Sequence, residues 1–185
     1  SLNGYARETN PLLGKRNLFN FKNVSSCGTN TATSLPCMFS NLGRDGYDEK
    51  QASGQENLID VIRHSGLFIK WEDNNTGSKG IANRIEQTDM SKLEVGNHLC
   101  SEKGCYDAVF FKHVEDEFIE HPGDMVLVFH QIGSHGPAYY ERYPKEFEKF
   151  KPACQTGELQ DCSREEVLNA YDNTILYTDF VLDGI

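Results

Sequence analysis

Two short apolar runs constrain the fold most, because each follows a helical pattern and a turn and each ends abruptly in a polar loop. In 55–65, Leu58, Ile59, Val61 and Ile62 alternate with Asp60, Arg63 and His64. That is amphipathic helix spacing, with Gly66 as its C-cap. Leu67 to Trp71 then reads as a strand running into an Asp-Asn-Asn loop. Further on, Tyr106 to Ile119 predicts a helix with Val109, Phe110, Val114 and Phe118 on one face. After the turn at His121 to Asp124, Met125 to Phe129 is continuously apolar and partly β-branched, as in a central buried strand. It opens directly into His130 to His135. Helix, turn, strand, polar loop is the rhythm of an α/β fold with a mainly parallel sheet. In such sheets functional loops sit at the carboxyl ends of the strands, where both polar loops fall.

The remainder reads as support for that sheet. Residues 1–24 predict loop, 143–150 helix or loop, and 152–162 a polar excursion. Arg164 to Leu182 predicts a long helix with Val167, Leu168, Tyr171, Ile175, Tyr177 and Phe180 on its buried face. Ser163 and Glu166 have capping-box spacing at its start. Asp73, Asp172 and Asp179 read as loop and helix-surface charges. No repeat or linker divides the chain, so 1–185 is expected to be a single domain, and 185 residues can enclose a substantial core. The net charge of −10 argues against a nucleic-acid partner and offers no attraction to an anionic membrane. No stretch is apolar enough to span a bilayer, and there is neither a signal peptide nor an initiator Met. The chain therefore reads as a processed form or a fragment.

Chemistry is concentrated in Ser25 to Met38, which holds several hydroxyls, Gly28 and two cysteines. A helix is predicted from Thr31 to Leu42, ending near Gly43. Pro36 lies inside it and either delays its first turn or kinks it. A hydroxyl at a helix start meets unpaired N–H groups and the positive end of the dipole, which suits a phosphate or sulfate. The plainer alternative is a hydroxyl-rich capped turn. Ser26, Thr29, Thr31, Thr33 and Ser34 all offer that chemistry, and residue type does not choose among them. Six cysteines form three close sequence pairs, Cys27 with Cys37, Cys100 with Cys105, and Cys154 with Cys162. An even count invites disulfides, although six cysteines allow fifteen connectivities, with neighbour pairing the simplest. None is Cys-x-x-Cys, so a zinc ribbon is disfavoured. The competing reading is six reduced core cysteines in the cytosol. The polar sequence around the second and third pairs favours disulfides and an oxidising compartment.

Five blocks, Ser1 to Pro11, Ser25 to Met38, Trp71 to Gly80, His130 to Tyr140 and Ala170 to Thr174, resemble in content and order the lipid A phosphoethanolamine transferases, the family that includes the mobile colistin-resistance enzymes. The resemblance implies an alkaline-phosphatase/sulfatase-like α/β sandwich, incomplete here. It implies that Thr31 is the nucleophile carrying a covalent phosphoethanolamine, and that Asn75, Lys79 and His135 line the substrate pocket. It also implies zinc as cofactor, with Thr31 as a ligand and His135 able to bind a second ion. It supports the Cys27–Cys37 and Cys154–Cys162 disulfides, and neighbour pairing adds Cys100–Cys105. The implied donor is phosphatidylethanolamine and the implied acceptor lipid A, at the periplasmic face of the bacterial inner membrane. His130, at the end of a buried strand, reads as a core histidine or one that supports the site.

Measured against the family, this chain lacks an upstream Glu and a downstream Asp-His pair that complete the principal zinc site, and also the membrane-spanning N-terminal region. One hydroxyl ligand does not make a zinc site. The expectation is therefore a partial catalytic domain that does not hold zinc by itself and has an exposed sheet edge favouring self-association. A binding-only fragment is the alternative from another class. A sulfatase or phosphodiesterase of the same superfamily is the enzymatic alternative, disfavoured because Cys/Ser-x-Pro-x-Arg is missing from the Thr31 segment.

Overall fold

The computed structural model describes residues 5–92 and 98–185. Ser1 to Gly4, the start of the first family-like block, lie outside the described residues. In chain order the labelled elements are α1 (Thr31–Phe39), α2 (Gly43–Gly46), α3 (Glu49–Ser53), α4 (Leu58–His64), β1 (Phe68–Asp73), β2 (Glu86–Asp89), β3 (Cys100–Ser101), β4 (Gly104–Cys105), α5 (Phe110–Glu120), β5 (Met125–His130) and α6 (Arg164–Gly184). The chain divides into two compact units, residues 23–93 with 115–130, and residues 1–22 with 94–114 and 131–185.

The first of these units holds a parallel three-stranded sheet in the order β2-β1-β5. The expected central strand, β5, stands at the side and is only partly buried, whereas β1 is in the middle. β2, Glu-Gln-Thr-Asp, has no apolar pattern and was not anticipated; its backbone pairs Lys70 with Glu86 through Asp73 with Asp89. Trp71, Ile69, Ile59, Ile81 and Ala82 form the core, with Phe39 and Ile62 against them. α4 starts at Leu58, capped by Asn57 in a reciprocal box with Asp60. Of the four apolar residues that gave the amphipathic spacing, Leu58 and Val61 are exposed, and Ile59 and Ile62 turn toward Trp71. Asp60 is fully buried, and the Arg84 guanidinium grips both its oxygens, holding its carboxyl down at about 2. On the other face of β1, Lys70 bonds Glu117 and lies 3.0 Å from Glu86.

The second unit is organised around α6, whose Ser163/Glu166 capping box is present. Tyr177, Val181, Ala108 and Tyr143 form one cluster, and Ala170, Ala153 and Cys154 another. Leu168 and Tyr171 are exposed rather than buried. Asp172 and Asp179 are the opposite, buried where surface charges were expected. Asp172 accepts from the Tyr5 hydroxyl and from Arg7, and Asp179 accepts the backbone N–H groups of Leu12 and Leu13. These donors anchor the N-terminal loop, which includes a short 3-10 turn at Leu13–Lys15. A 3-10 turn at Asp107–Val109 precedes α5, and Phe118, expected on a buried face, is exposed. Cys27–Cys37, Cys100–Cys105 and Cys154–Cys162 are disulfide-bonded. Among the described residues no helix is long and apolar enough to cross a membrane.

Candidate functional site

α1 begins at Thr31, but Thr31 is not its cap. The cap is Asn30, whose side-chain oxygen accepts the Thr33 N–H at 2.9 Å. The other hydroxyls separate by what they already do. Ser26 donates to the Gly28 carbonyl at 2.6 Å, and Ser34 to the Asn30 carbonyl at 2.8 Å. Thr33 sits over Gly28, where an added Cβ would come within 3.1 Å of its methyl, so glycine permits that close approach. The half-buried Thr31 hydroxyl takes no part in the cap, at the end of the helix where unpaired N–H groups and the dipole favour an anion. The helix continues through Pro36 to Phe39, ending three residues before the expected Leu42.

Asn75 and Lys79 lie on the loop after β1, in the same unit as Thr31. That loop hangs on Asp73, the last residue of β1, which is buried. One oxygen of its carboxylate accepts the Trp71 indole N–H at 2.9 Å and His130 Nδ1 at 2.8 Å. The other accepts the backbone N–H groups of Asn75 at 2.9 Å and Gly77 at 3.0 Å. Register explains the His130 contact, since Asp73 and His130 are paired residues at the carboxyl ends of adjacent parallel strands. Burial alone would raise the Asp73 carboxyl; the hydrogen bonds from His130, Trp71, Gly77 and Asn75 outweigh it and hold it well below the usual range. Lys79 has a left-handed backbone, φ +53°, and its ammonium donates to the Thr76 carbonyl and hydroxyl. A groove of about 350 Å³ is lined by Lys79 and by Ala32, the residue after Thr31, together with Pro36, Tyr47, Asn83 and Arg84.

His135 belongs to the other unit. Its loop is held by the buried Asp107, whose two oxygens accept the N–H groups of Ile132 at 2.9 Å and Gly133 at 2.8 Å. Ser134 is bonded to Thr174 at 2.6 Å, and Arg142 donates to the His135 carbonyl at 2.9 Å. The imidazole is exposed, with Nδ1 2.9 Å from the Gly136 carbonyl. A carbonyl only accepts, so Nδ1 carries the proton in that contact, and in the neutral ring Nε2 offers a lone pair to a ligand. Among the described residues, no three His, Cys, Asp or Glu side chains come together as a metal site. Thr31 and His135 fall in different units, and neither belongs to such a group among the described residues.

Sequence reasoning assigned no chemistry to Asp73 and did not single out Asp107, yet each anchors a loop carrying an expected pocket residue. A signal existed for the first. An Asp two positions before Asn75 in a strand-end Asx turn is placed to accept that residue's N–H. Asp107 had no local signal, because its partners lie 25 and 26 residues away.

The sulfatase family model matches residues 1–185. The chain is 48% identical over 99% of its length to phosphoethanolamine transferase EptA of Salmonella typhimurium, and 42% identical over its whole length to phosphatidylethanolamine transferase Mcr-1 of Escherichia coli. It covers 33% and 36% of those proteins, so it spans about a third of the curated relatives it matches. Among solved structures, the integral membrane lipooligosaccharide phosphoethanolamine transferase A of Neisseria meningitidis matches with a TM-score of 0.94 at 43% identity, over 98% of this chain and 34% of that one. The C-terminal periplasmic domain of phosphoethanolamine transferase EptC from Campylobacter jejuni matches with a TM-score of 0.82 at 39% identity, over 97% of this chain and 54% of that one. The parallel sheet and the match along the full chain agree: the chain belongs to the sulfatase family.

Proposed function

We propose that this chain carries the nucleophile and the donor-binding loops of an enzyme that moves phosphoethanolamine from phosphatidylethanolamine to lipid A. The observation that carries the reading is the Thr31 hydroxyl, which the Asn30 cap leaves available at the start of α1. In the first step Thr31 Oγ1 attacks phosphorus, an O–P bond forms, and the bond to the diacylglycerol oxygen breaks, that oxygen ending with the threonine proton. In the second, a protonated phosphate oxygen of lipid A attacks the same phosphorus, the Thr31 O–P bond breaks, and the proton that phosphate loses restores the Thr31 hydroxyl. Asn75 and Lys79 supply an amide and an ammonium for the phosphoryl oxygens. Transfer places a cationic amine on lipid A and lowers the negative charge that polymyxins bind. The three disulfides and the relatives' periplasmic domain support a periplasmic setting at the inner membrane.

A threonine hydroxyl needs activation. When bound, zinc would lower its pKa and neutralise phosphoryl charge. In this reading Thr31 is one ligand, His135 serves a second ion, and the remaining ligands come from outside these 185 residues. A second reading is a module that binds the headgroup without turning it over. Intact mass after incubation with phosphatidylethanolamine separates the two. The expected result is an increase of one phosphoethanolamine group mapping to Thr31 and lost in Thr31→Ala. An unchanged mass would leave only binding, and an adduct that persists in Thr31→Ala would overturn the assignment of the nucleophile.

A further inference from the structure

We propose that Asp73 is the positioning residue of the donor loop, fixing Asn75 and Lys79 so that they hold the phosphate of a phosphoethanolamine headgroup; this rests on the donor-site reading above. An ionised carboxylate has about four acceptor positions, and Asp73 fills four. The two donors on one oxygen, the Trp71 indole and His130 Nδ1, come from the sheet, and Trp71 is fully buried in its core. The two on the other are the backbone N–H groups of Asn75 and Gly77, within the loop itself. The carboxylate is thus the joint between a rigid sheet and the segment carrying the pocket side chains. The Asn74 N–H donates to the His130 carbonyl at 2.9 Å, extending the strand contact past the end of β1.

The loop needs such a joint. Gly77 and Gly80 both have φ of +85°, and between them Lys79 holds φ +53°. An L-residue with a side chain rarely adopts that conformation unless its surroundings hold it there. The Lys79 ammonium bonds only within its own loop, to Thr76, so it moves wherever the loop moves. Freed from Asp73, the loop would relax toward ordinary backbone angles and carry both Asn75 and Lys79 with it.

Asp73→Asn keeps the size of the side chain but puts an NH2 where one oxygen stood. One pair of donors, the sheet's or the loop's, then faces another donor. The first readout is amide hydrogen exchange at Asn75 and Gly77, expected to rise about tenfold or more, the usual scale for losing hydrogen bonds to a charged acceptor. The second is the KM for phosphatidylethanolamine, or the Kd for O-phosphoethanolamine as a soluble probe, expected to rise about tenfold while kcat changes less. A residue that only stabilised the fold would lower the amount of folded protein and leave KM unchanged. His130→Ala is the second variant, in case Asp73→Asn does not fold; it should raise exchange at the same two amides, and His130→Asn, whose amide can replace Nδ1, should restore protection. Unchanged exchange in Asp73→Asn, or in His130→Ala if Asp73→Asn does not fold, overturns the joint. Faster exchange with unchanged KM and Kd overturns its role in substrate positioning. Failure of the wild-type protein to transfer would refute the proposed function, and the exchange experiment would still decide whether Asp73 holds the loop.

Discussion

Glu72→Gln is expected to abolish a pH dependence of stability that originates beneath the sheet. Glu72 is fully buried on β1. Lys70 lies among three carboxylates there, Glu72, Glu86 and Glu117. Burial first, then the Glu117 and Glu86 charges, push the Glu72 carboxyl up to about 7 from an ordinary 4.5, with Lys70 pulling the other way. A carboxyl raised on folding favours the fold while protonated. Its contribution is therefore complete below about 4.5 and is lost as pH rises through about 7. At about 1.4 kcal/mol for each pH unit, the gap corresponds to about 3 kcal/mol. Glutamine resembles the protonated form at every pH. The variant should match the wild type near pH 4 and exceed it at pH 8 by about 3 kcal/mol. Urea unfolding followed by fluorescence reads this out directly, since Trp71 is the chain's only tryptophan, is fully buried and adjoins Glu72 in sequence. Parallel stability curves for the two proteins between pH 5 and 8 would refute the reasoning.

Two further expectations concern the loops and the cap. Asn30→Ala removes the α1 cap and should cost about 1 kcal/mol in a denaturation experiment, whereas Thr31→Ala should cost clearly less, because Thr31 does not cap; equal costs would contradict the division of labour at the helix start. Asp107→Asn leaves one of the two N–H groups without its acceptor and should destabilise its unit by about 2 kcal/mol, seen as faster amide exchange at Ile132 and Gly133 ahead of His135.

Much of the architecture was legible because its signals are local. The helix-turn-strand rhythm gave α4 with β1 and α5 with β5, and Ser163 with Glu166 marked the start of α6. What misled was burial. Leu58, Val61 and Phe118 obey helical periodicity yet face solvent, since the spacing of apolar residues does not say which of them meets the core. β2 was invisible because Glu-Gln-Thr-Asp becomes a strand only by pairing its backbone with β1. At the candidate site, the hydroxyl-rich segment and the Asn75–Lys79 loop stood out as sequence, but which hydroxyl is left over from capping did not.

By itself the sequence determined the α/β class, the family, the three neighbouring cysteine pairs and the segments that bear the chemistry, all of which are written in runs of adjacent residues. Only the tertiary structure decided what the aspartates do. Asp73, Asp107, Asp172 and Asp179 were read as surface charges or passed over, and all four are buried. A carboxylate can leave water only where donors replace its hydration. Those donors are brought by the fold, many of them from afar: His130 lies 57 residues from Asp73, and the Leu12 N–H lies 167 residues from Asp179.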